Sequence, residues 1–378
     1  MTDRPHILHV VDSLAPGGAE RMVVEIANAT DRQRYRVSVC VTRAEANLAL
    51  RPSLSEDVGF HVLPRRFRFD PPGFWEFSRL CQREGVDLFH VHNRPSFRFI
   101  AMCKALGCLP RKPVVFLDQF GDIEIGDHLP AQFQWIFRWV KPYYVGVQPS
   151  LTQAAQRSGV PPEMATVVSN AIAFSPFEEG TSVQAEAIRG RPTQGPTGVI
   201  VANVRPPKDY ETLLRALAQI RDQPWHLLAI GSLSDQVYSQ KCLQLAAALE
   251  LVDRISFLGS RLDIPALLKA ADFAVLSSRS ESGPLVLLEY AAAGLPFVST
   301  RVGLIGKALA ELGVPEFVPP GDVEALAAAL RRLLQLSPEE RTARGQQTHD
   351  LAASRFDIRH VMPQWYHVYE RALEGDPL

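Results

Sequence analysis

The sequence predicts an α/β protein made of two doubly wound, parallel-sheet domains, and three observations carry that prediction. Strand patterns alternate with helical patterns along the chain, an order in which successive strands pair in parallel. The alternation breaks between Glu178 and Gly198, in a run rich in Gly, Pro, Ser and Thr that reads as a linker. At 378 residues the chain also exceeds what one hydrophobic core ordinarily supports.

In the first half, Ile7–Val11 is an apolar run suited to a strand buried on both faces. A turn through Gly17-Gly18 follows, then a helix with Met22, Val23, Ile26 and Ala27 on one side. Further strands are predicted at Val37–Val41, Asp87–His92, Pro113–Leu117 and Tyr144–Val147, with helices at Pro72–Glu84 and Ala131–Val140. In the second half, strands are predicted at Val199–Ala202, His226–Ile230, Ile255–Leu258, Phe273–Leu276 and Phe297–Ser299. Helices at Tyr210–Ile220, Gln236–Leu249, Ile264–Ala270, Leu285–Ala293 and Val323–Leu334 separate them. The expected organisation is a first domain over 1–180, a linker over 181–198 and a second domain over 199–355. Ligands of open α/β sheets sit beyond the carboxyl ends of the strands, so two such domains offer a cleft lined by loops from both.

Composition narrows the function. The 40 basic and 41 acidic residues nearly cancel without long single-sign runs, which excludes the electrostatic footprint of a nucleic-acid binder. Five scattered cysteines, none in a C-x-x-C pair, read as reduced structural thiols. With no signal-peptide pattern and no run of eighteen apolar residues, the expected location is the cytoplasm. Two aromatic and basic stretches bear on membrane contact. Phe133–Tyr144 reads as a core helix and buried strand, whereas Arg65-Arg66-Phe67-Arg68-Phe69 with Phe74-Trp75 is the better candidate for acceptor or peripheral inner-membrane contact through the first domain.

The densest chemical signal is Glu281-Ser-Gly-Pro-Leu-Val-Leu-Leu-Glu289 with Gly294-Leu-Pro296 behind it. Ser282 or Gly283 can cap a helix here, Pro284 suits its first position, and Gly294 with Pro296 ends it. The free amides of such a helix bind phosphate. Glu281 before the helix and Glu289 little more than one turn inside it reach one ligand from two heights. Ionised carboxylates only accept, so one can hold sugar hydroxyls and the other a ribose.

With these residues the chain resembles glycosyltransferase family 4, retaining enzymes of the GT-B fold with two Rossmann-like domains and a Glu, seven residues, Glu motif. The resemblance implies a hexosyltransferase using a nucleotide-diphosphate sugar, UDP- or GDP-linked, and a glycan or lipid-linked acceptor in cell-surface polysaccharide synthesis. It implies no divalent metal and no other cofactor. Leu14-Ala-Pro-Gly17-Gly18-Ala-Glu-Arg21 is similar to the family's glycine-rich turn, and Val201-Ala-Asn203-Val-Arg205-Pro-Pro-Lys208 to its diphosphate-clamping loop. Lys208 falls on the family lysine; Asn203 stands at the usual arginine, so the second cation is either displaced to Arg205 or lost. Leu227–Gly231 resembles a strand and loop at the nucleotide. The implied donor set is Gly17, Gly18, Asn203, Arg205, Lys208, Gly231, Gly283, Pro284, Leu285 and Glu289, with Glu281 and Lys208 catalytic. The C-terminal helix, over 356–373, looks like the one that packs back on the first domain.

Two segments depart from the family pattern. Where relatives carry a histidine near the donor sugar, this chain has Val114–Gly121, and Gln119 or Asp118 would have to serve. The segment before the linker keeps Asn170 but loses the glycine and aspartate around it. Alternation puts His90 and His92 on one strand face, where no further metal ligand is recognisable, so both read as structural, with His92 also suited to a polar contact in the cleft. A nucleotide-sugar binder without transferase activity and a nucleotide-sugar epimerase of similar build are the alternatives.

Overall fold

A computed structural model describes residues 4–67, 69–120, 129, 131–179, 195–311, 313 and 315–378. It divides the chain into two units, one of Met1–Ala171 with Ile358–Leu378 and one of Ile172–Asp357. Most of the expected linker, and the loop over 121–128, lie outside the described residues.

The first unit runs β1 (His6–Val11), α1 (Gly18–Ala29), β2 (Arg36–Val41), β3 (Gly59–Val62), α2 (Pro71–Glu84), β4 (Leu88–His92), α3 (Arg94–Ala105), β5 (Val114–Asp118), α4 (Gln132–Val140), β6 (Tyr143–Gly146), α5 (Pro149–Arg157) and β7 (Ala165–Val167). Its seven strands pair in the order β3-β2-β1-β4-β5-β6-β7, all parallel. The central strands β1, β4 and β5 are buried throughout, as continuous apolar runs require. The edge strands β3 and β7, which the apolar pattern does not reveal, are short and half-buried.

The second unit runs α6 (Ser175–Glu179), β8 (Thr197–Val201), α7 (Tyr210–Ala218), β9 (His226–Ile230), α8 (Gln236–Ala248), β10 (Ile255–Gly259), α9 (Ile264–Lys269), β11 (Phe273–Leu276), α10 (Leu285–Ala292), β12 (Phe297–Thr300), α11 (Gly303–Glu311), β13 (Glu316–Val318), α12 (Val323–Gln335) and α13 (Pro338–Phe356). Its six parallel strands follow the order β10-β9-β8-β11-β12-β13. The chain then enters α14 (Ile358–Glu374), which clusters with the first unit and contacts α1, β4 and β5.

One boundary and one helix differ from the sequence expectation. The second unit begins at Ile172, not beyond a linker at 181–198, because α6 packs on α9 and α10 of that unit. Helix α13, absent from the expectation, is too polar to show an apolar stripe; it is set by a capping box in which Ser337 accepts from the Glu340 amide and Glu340 accepts from the Ser337 amide.

Candidate functional site

In both sheets the strand order reverses at one point, between β1 and β4 and between β8 and β11, where loops leave in opposite directions and ligands bind in open α/β folds. In the second unit this split has a built form. Strands β8 and β11 pair only through Gly198–Phe273 and Val199–Ala274. Beyond that pairing the buried Tyr290 hydroxyl accepts from the Val201 amide at 2.9 Å and donates to the Val275 carbonyl at 3.2 Å. Tyr290 is on α10, so the helix that carries Glu289 is hung from both diverging strands.

The loops after β8 and β11 are stitched across the split. Lys208 Nζ forms an ion pair with Glu281 Oε1, and both side chains are 14% exposed. The same oxygen accepts from Ser278 Oγ at 2.8 Å, while Ser277 Oγ donates to the Lys208 carbonyl at 2.8 Å. The Arg279 amide donates to the Pro207 carbonyl and its Nε to Asp209 Oδ2, each at 2.8 Å. Asp209, in the left-handed region at φ 47, also caps α7 by accepting from the Thr212 amide. Lys208 and Glu281, 73 residues apart in sequence, are thus the centre of one hydrogen-bonded frame.

The Glu281 loop is held from behind as well. The Leu304 amide donates to the Ser282 carbonyl at 3.0 Å. Gly303 sits at φ 67, and a Cβ there would meet the Ser282 carbonyl oxygen at 2.8 Å, so this close approach requires glycine. Helix α10 begins at Leu285, as its apolar run predicts, but Pro284 stands as its cap rather than as its first helical residue. Glu289 is the fifth residue of the helix and half-buried.

Other predicted donor residues take different roles. Asn203 Oδ1 accepts from the Ser232 amide at 2.8 Å, so its side chain joins the loops after β8 and β9. At Gly231 the backbone passes so close that a Cβ would lie 2.1 Å from the Ala202 carbonyl oxygen. Arg205 is exposed on the same loop.

In the first unit, Gly17 caps α1 and Gly18 opens it, and the extended backbone of Gly17 is one that any residue adopts. Around this turn the structure adds residues that sequence reasoning missed. Asn93 Nδ2 donates to Asp12 Oδ1 at 2.6 Å, joining the ends of β4 and β1, and Glu20 lies by Ser13 with its carboxyl pKa raised by burial. Asn93 adopts φ 62 and caps α3, a signal readable in Asn-Arg-Pro-Ser.

Three of the residues expected at the donor sugar or in the cleft, Asp118, His92 and Asn170, are buried. Asp118 is 1% exposed and engaged at both oxygens: Oδ2 accepts from Arg94 Nη2 at 3.1 Å and from the Tyr144 hydroxyl at 3.0 Å, and Oδ1 from the Phe120 amide at 3.1 Å. Such a carboxylate positions the loop that follows it, leaving half-buried Gln119 as the residue that leads out of β5. His92 is fully buried against His9 and His90 rather than open to a ligand, and Asn170 is likewise buried. Helix α4, expected wholly as core, buries Phe133, Phe137 and Val140 but leaves Trp135 76% exposed and Trp139 exposed beside it.

Comparisons with known proteins agree with this architecture. The family model for Glycosyltransferase Family 4 matches residues 16–175 and that for Glycosyl transferases group 1 matches residues 184–350. Among curated proteins, the N-acetyl-alpha-D-glucosaminyl L-malate synthase of Bacillus anthracis is 29% identical over 185 residues, 47% of this chain and 45% of that protein. The D-inositol 3-phosphate glycosyltransferase of Saccharomonospora viridis is 30% identical over 224 residues, 56% and 51% respectively. The chain therefore spans about half the length of the curated relatives it matches. Among solved structures, HepE from Anabaena in complex with UDP-glucose matches with a TM-score of 0.80 at 20% identity, covering 97% of this chain and 99% of that one. Sucrose-phosphate synthase from Thermosynechococcus elongatus matches at 0.78 and 19% identity, covering 99% and 100%. With both of its halves matched by the models and the fold shared across their whole length, this chain belongs to glycosyltransferase family 4 and has the GT-B fold.

Proposed function

We propose that the chain is a retaining glycosyltransferase that moves a hexosyl unit from a nucleotide-diphosphate sugar to a glycan or lipid-linked acceptor in cell-surface polysaccharide synthesis. The observation that carries this reading is the Lys208–Glu281 pair, fixed at the β8/β11 split beside the N-terminus of the helix bearing Glu289. A UDP- or GDP-linked donor fits: a relative of the same fold is described with UDP-glucose.

On this reading the donor diphosphate takes Lys208 as its counter-ion together with the backbone amides of Gly283 and Leu285, on either side of Pro284, and the exposed Arg205 supplies a second positive charge. Glu281, released from Lys208, accepts from the sugar hydroxyls, and Glu289 accepts from the ribose. The bond between the anomeric carbon and the phosphate oxygen breaks as negative charge grows on the diphosphate, where fixed cations and helix amides stabilise it. The acceptor oxygen bonds the same face of the anomeric carbon, and its proton goes to the departing phosphate oxygen. No resident metal enters these steps. The acceptor is assigned to the first unit, near Gly17, Gly18, Asp12 and Glu20, and the exposed Phe67, Phe69, Trp75, Trp135 and Trp139 of that unit give it peripheral contact with a membrane. Arg68, part of the predicted basic stretch, lies outside the described residues. No described helix is long and apolar enough to cross a membrane.

The test is transfer from a radiolabelled donor to a panel of lipid-linked and oligosaccharide acceptors, with Glu289→Ala as control. Labelled product with the donor's anomeric configuration supports the proposal. A second reading, donor binding without transfer, draws on Asn203, whose side chain is committed to Ser232 in place of a phosphate-binding arginine. Saturable donor binding with no product from any acceptor would favour it.

A further inference from the structure

Beneath α14, the first unit gathers three imidazoles that the proposed transfer does not use. His9 on β1 pairs in register with His90 on β4, and His92 lies two residues further along the same face. A neighbour across parallel strands lies about 4.8 Å away and a residue two further on about 6.6 Å, so the register forces a compact triangle. All three are fully buried. Taking one ring nitrogen from each, the three atoms lie within 4.8 Å of one another. Ring centroids are 4.8 Å apart for His9–His90, 5.2 Å for His9–His92 and 4.2 Å for His90–His92.

The hydrogen bonding is incomplete. His9 Nδ1 and His92 Nε2 share one bond at 2.9 Å, and His90 Nδ1 meets the Tyr369 hydroxyl at 2.8 Å. His9 Nε2, His90 Nε2 and His92 Nδ1 have no hydrogen-bond partner among the described residues, nor has the indole Nε1 of Trp365, whose ring lies 4.7 Å from that of His90. In either tautomer of the His9–His92 pair, one ring buries a bare lone pair and the other a bare N–H, each costing about 1–3 kcal/mol.

We propose that His9, His90 and His92 form a binding site for one zinc-class divalent ion. Three imidazoles from adjacent strands, with a water as fourth ligand, suit a tetrahedral ion, whose bonds of about 2.0–2.1 Å set neighbouring nitrogens about 3.3 Å apart. The 2.9 Å His9–His92 contact then opens by a few tenths of an ångström. The ion takes the place of the proton these two rings share, and that proton moves to the other nitrogen of its own neutral ring, so none is released. His90 ligates through Nε2, with Tyr369 orienting its ring through Nδ1. The Trp365 N–H is a donor for the metal-bound water. An all-nitrogen set without carboxylates favours Zn2+, Co2+, Ni2+ and Cu2+ over Mg2+ and Ca2+. Because Tyr369 and Trp365 lie on α14, the ion would fasten that helix to β1 and β4.

The experiment is metal titration of the full chain after treatment with EDTA. About one Zn2+ is expected per chain, raising the thermal midpoint. Co2+ in its place should give the visible absorption of a four-coordinate ion, bleached by added Zn2+. Tyr369→Phe should weaken zinc binding roughly 10- to 100-fold while leaving all three ligands in place, and His9→Gln should remove it. A folded wild-type chain that takes up no zinc and shows no cobalt band overturns the proposal, as does zinc uptake unchanged in both variants.

Discussion

Lys208 and Glu281 hold one another in a partly buried ion pair, and the loops that carry them are also joined by Ser277 Oγ to the Lys208 carbonyl and by Arg279 to the Pro207 carbonyl and Asp209. Those bonds remain when the pair is removed. Lys208→Met should therefore leave the second unit folded but strand the Glu281 carboxylate, lowering stability by about 1–3 kcal/mol. Adding Glu281→Gln should recover most of that loss. A double-mutant cycle by chemical denaturation checks this, and additive losses would mean that the pair is not coupled.

For turnover the same residues are not interchangeable. Removing a group that stabilises developing charge costs about 10²–10³ in rate, so Lys208→Ala should lower kcat by that order in addition to weakening donor binding. Glu289→Ala should instead weaken donor affinity first, because ribose contacts are made before and during transfer alike. Initial rates over a range of donor concentrations separate the two patterns.

Tyr290→Phe removes both hydrogen bonds at the β8/β11 split and leaves the buried Val201 amide without its partner. We expect a stability loss of about 1–3 kcal/mol and a weaker donor affinity, since α10 loses its anchor to both strands. A variant as stable as the parent would show that the split is held by the remaining contacts alone.

Much of the fold is legible in the amino-acid pattern itself. Buried parallel strands announce themselves as apolar runs, which is why β1, β4, β8, β9 and β11 lie within a residue or two of their predicted bounds. The edge strands β3, β7 and β13 are three or four residues long and only partly buried, so they carry no such run. The Glu281–Glu289 spacing is readable because it lies within one helix and its approach. The pairing of Lys208 with Glu281, and of His9 with His90, is not: each depends on strand order, which local pattern does not encode. Asp118 and His92 are ambiguous in sequence for a related reason, since a polar residue at a strand's end serves a ligand or a neighbour equally well.

The pH dependence of stability has a defined sign at His6. Burial lowers its pKa, and its ring nitrogens lie 2.9 Å from the Glu84 carbonyl and from Ser38 Oγ. The unfolded chain thus takes up a proton near pH 6.5 that the folded chain refuses until lower pH. Stability should be undiminished above about pH 6.5 and should fall below it, by up to about 1.4 kcal/mol per pH unit from this group. His6→Asn should flatten that part of the profile, measured as thermal midpoint against pH.

The exposed tryptophans of the first unit predict binding to lipid. Trp75, 55% exposed on α2, carries Arg79 over its ring, and Trp135 and Trp139 are exposed on α4. Vesicles containing anionic phospholipid should retain the protein in flotation, and Trp135→Ser with Trp139→Ser should reduce retention severalfold without changing donor binding.

The most direct test is a thermal-shift titration of the full chain with UDP-, GDP-, ADP- and TDP-sugars. Stabilisation by one nucleotide class is expected, about 2.7 kcal/mol at a hundred times Kd, together with its loss in Lys208→Ala. If no nucleotide sugar shifts the transition, or if Lys208→Ala responds as the parent does, the assignment of the donor to the β8/β11 split is wrong.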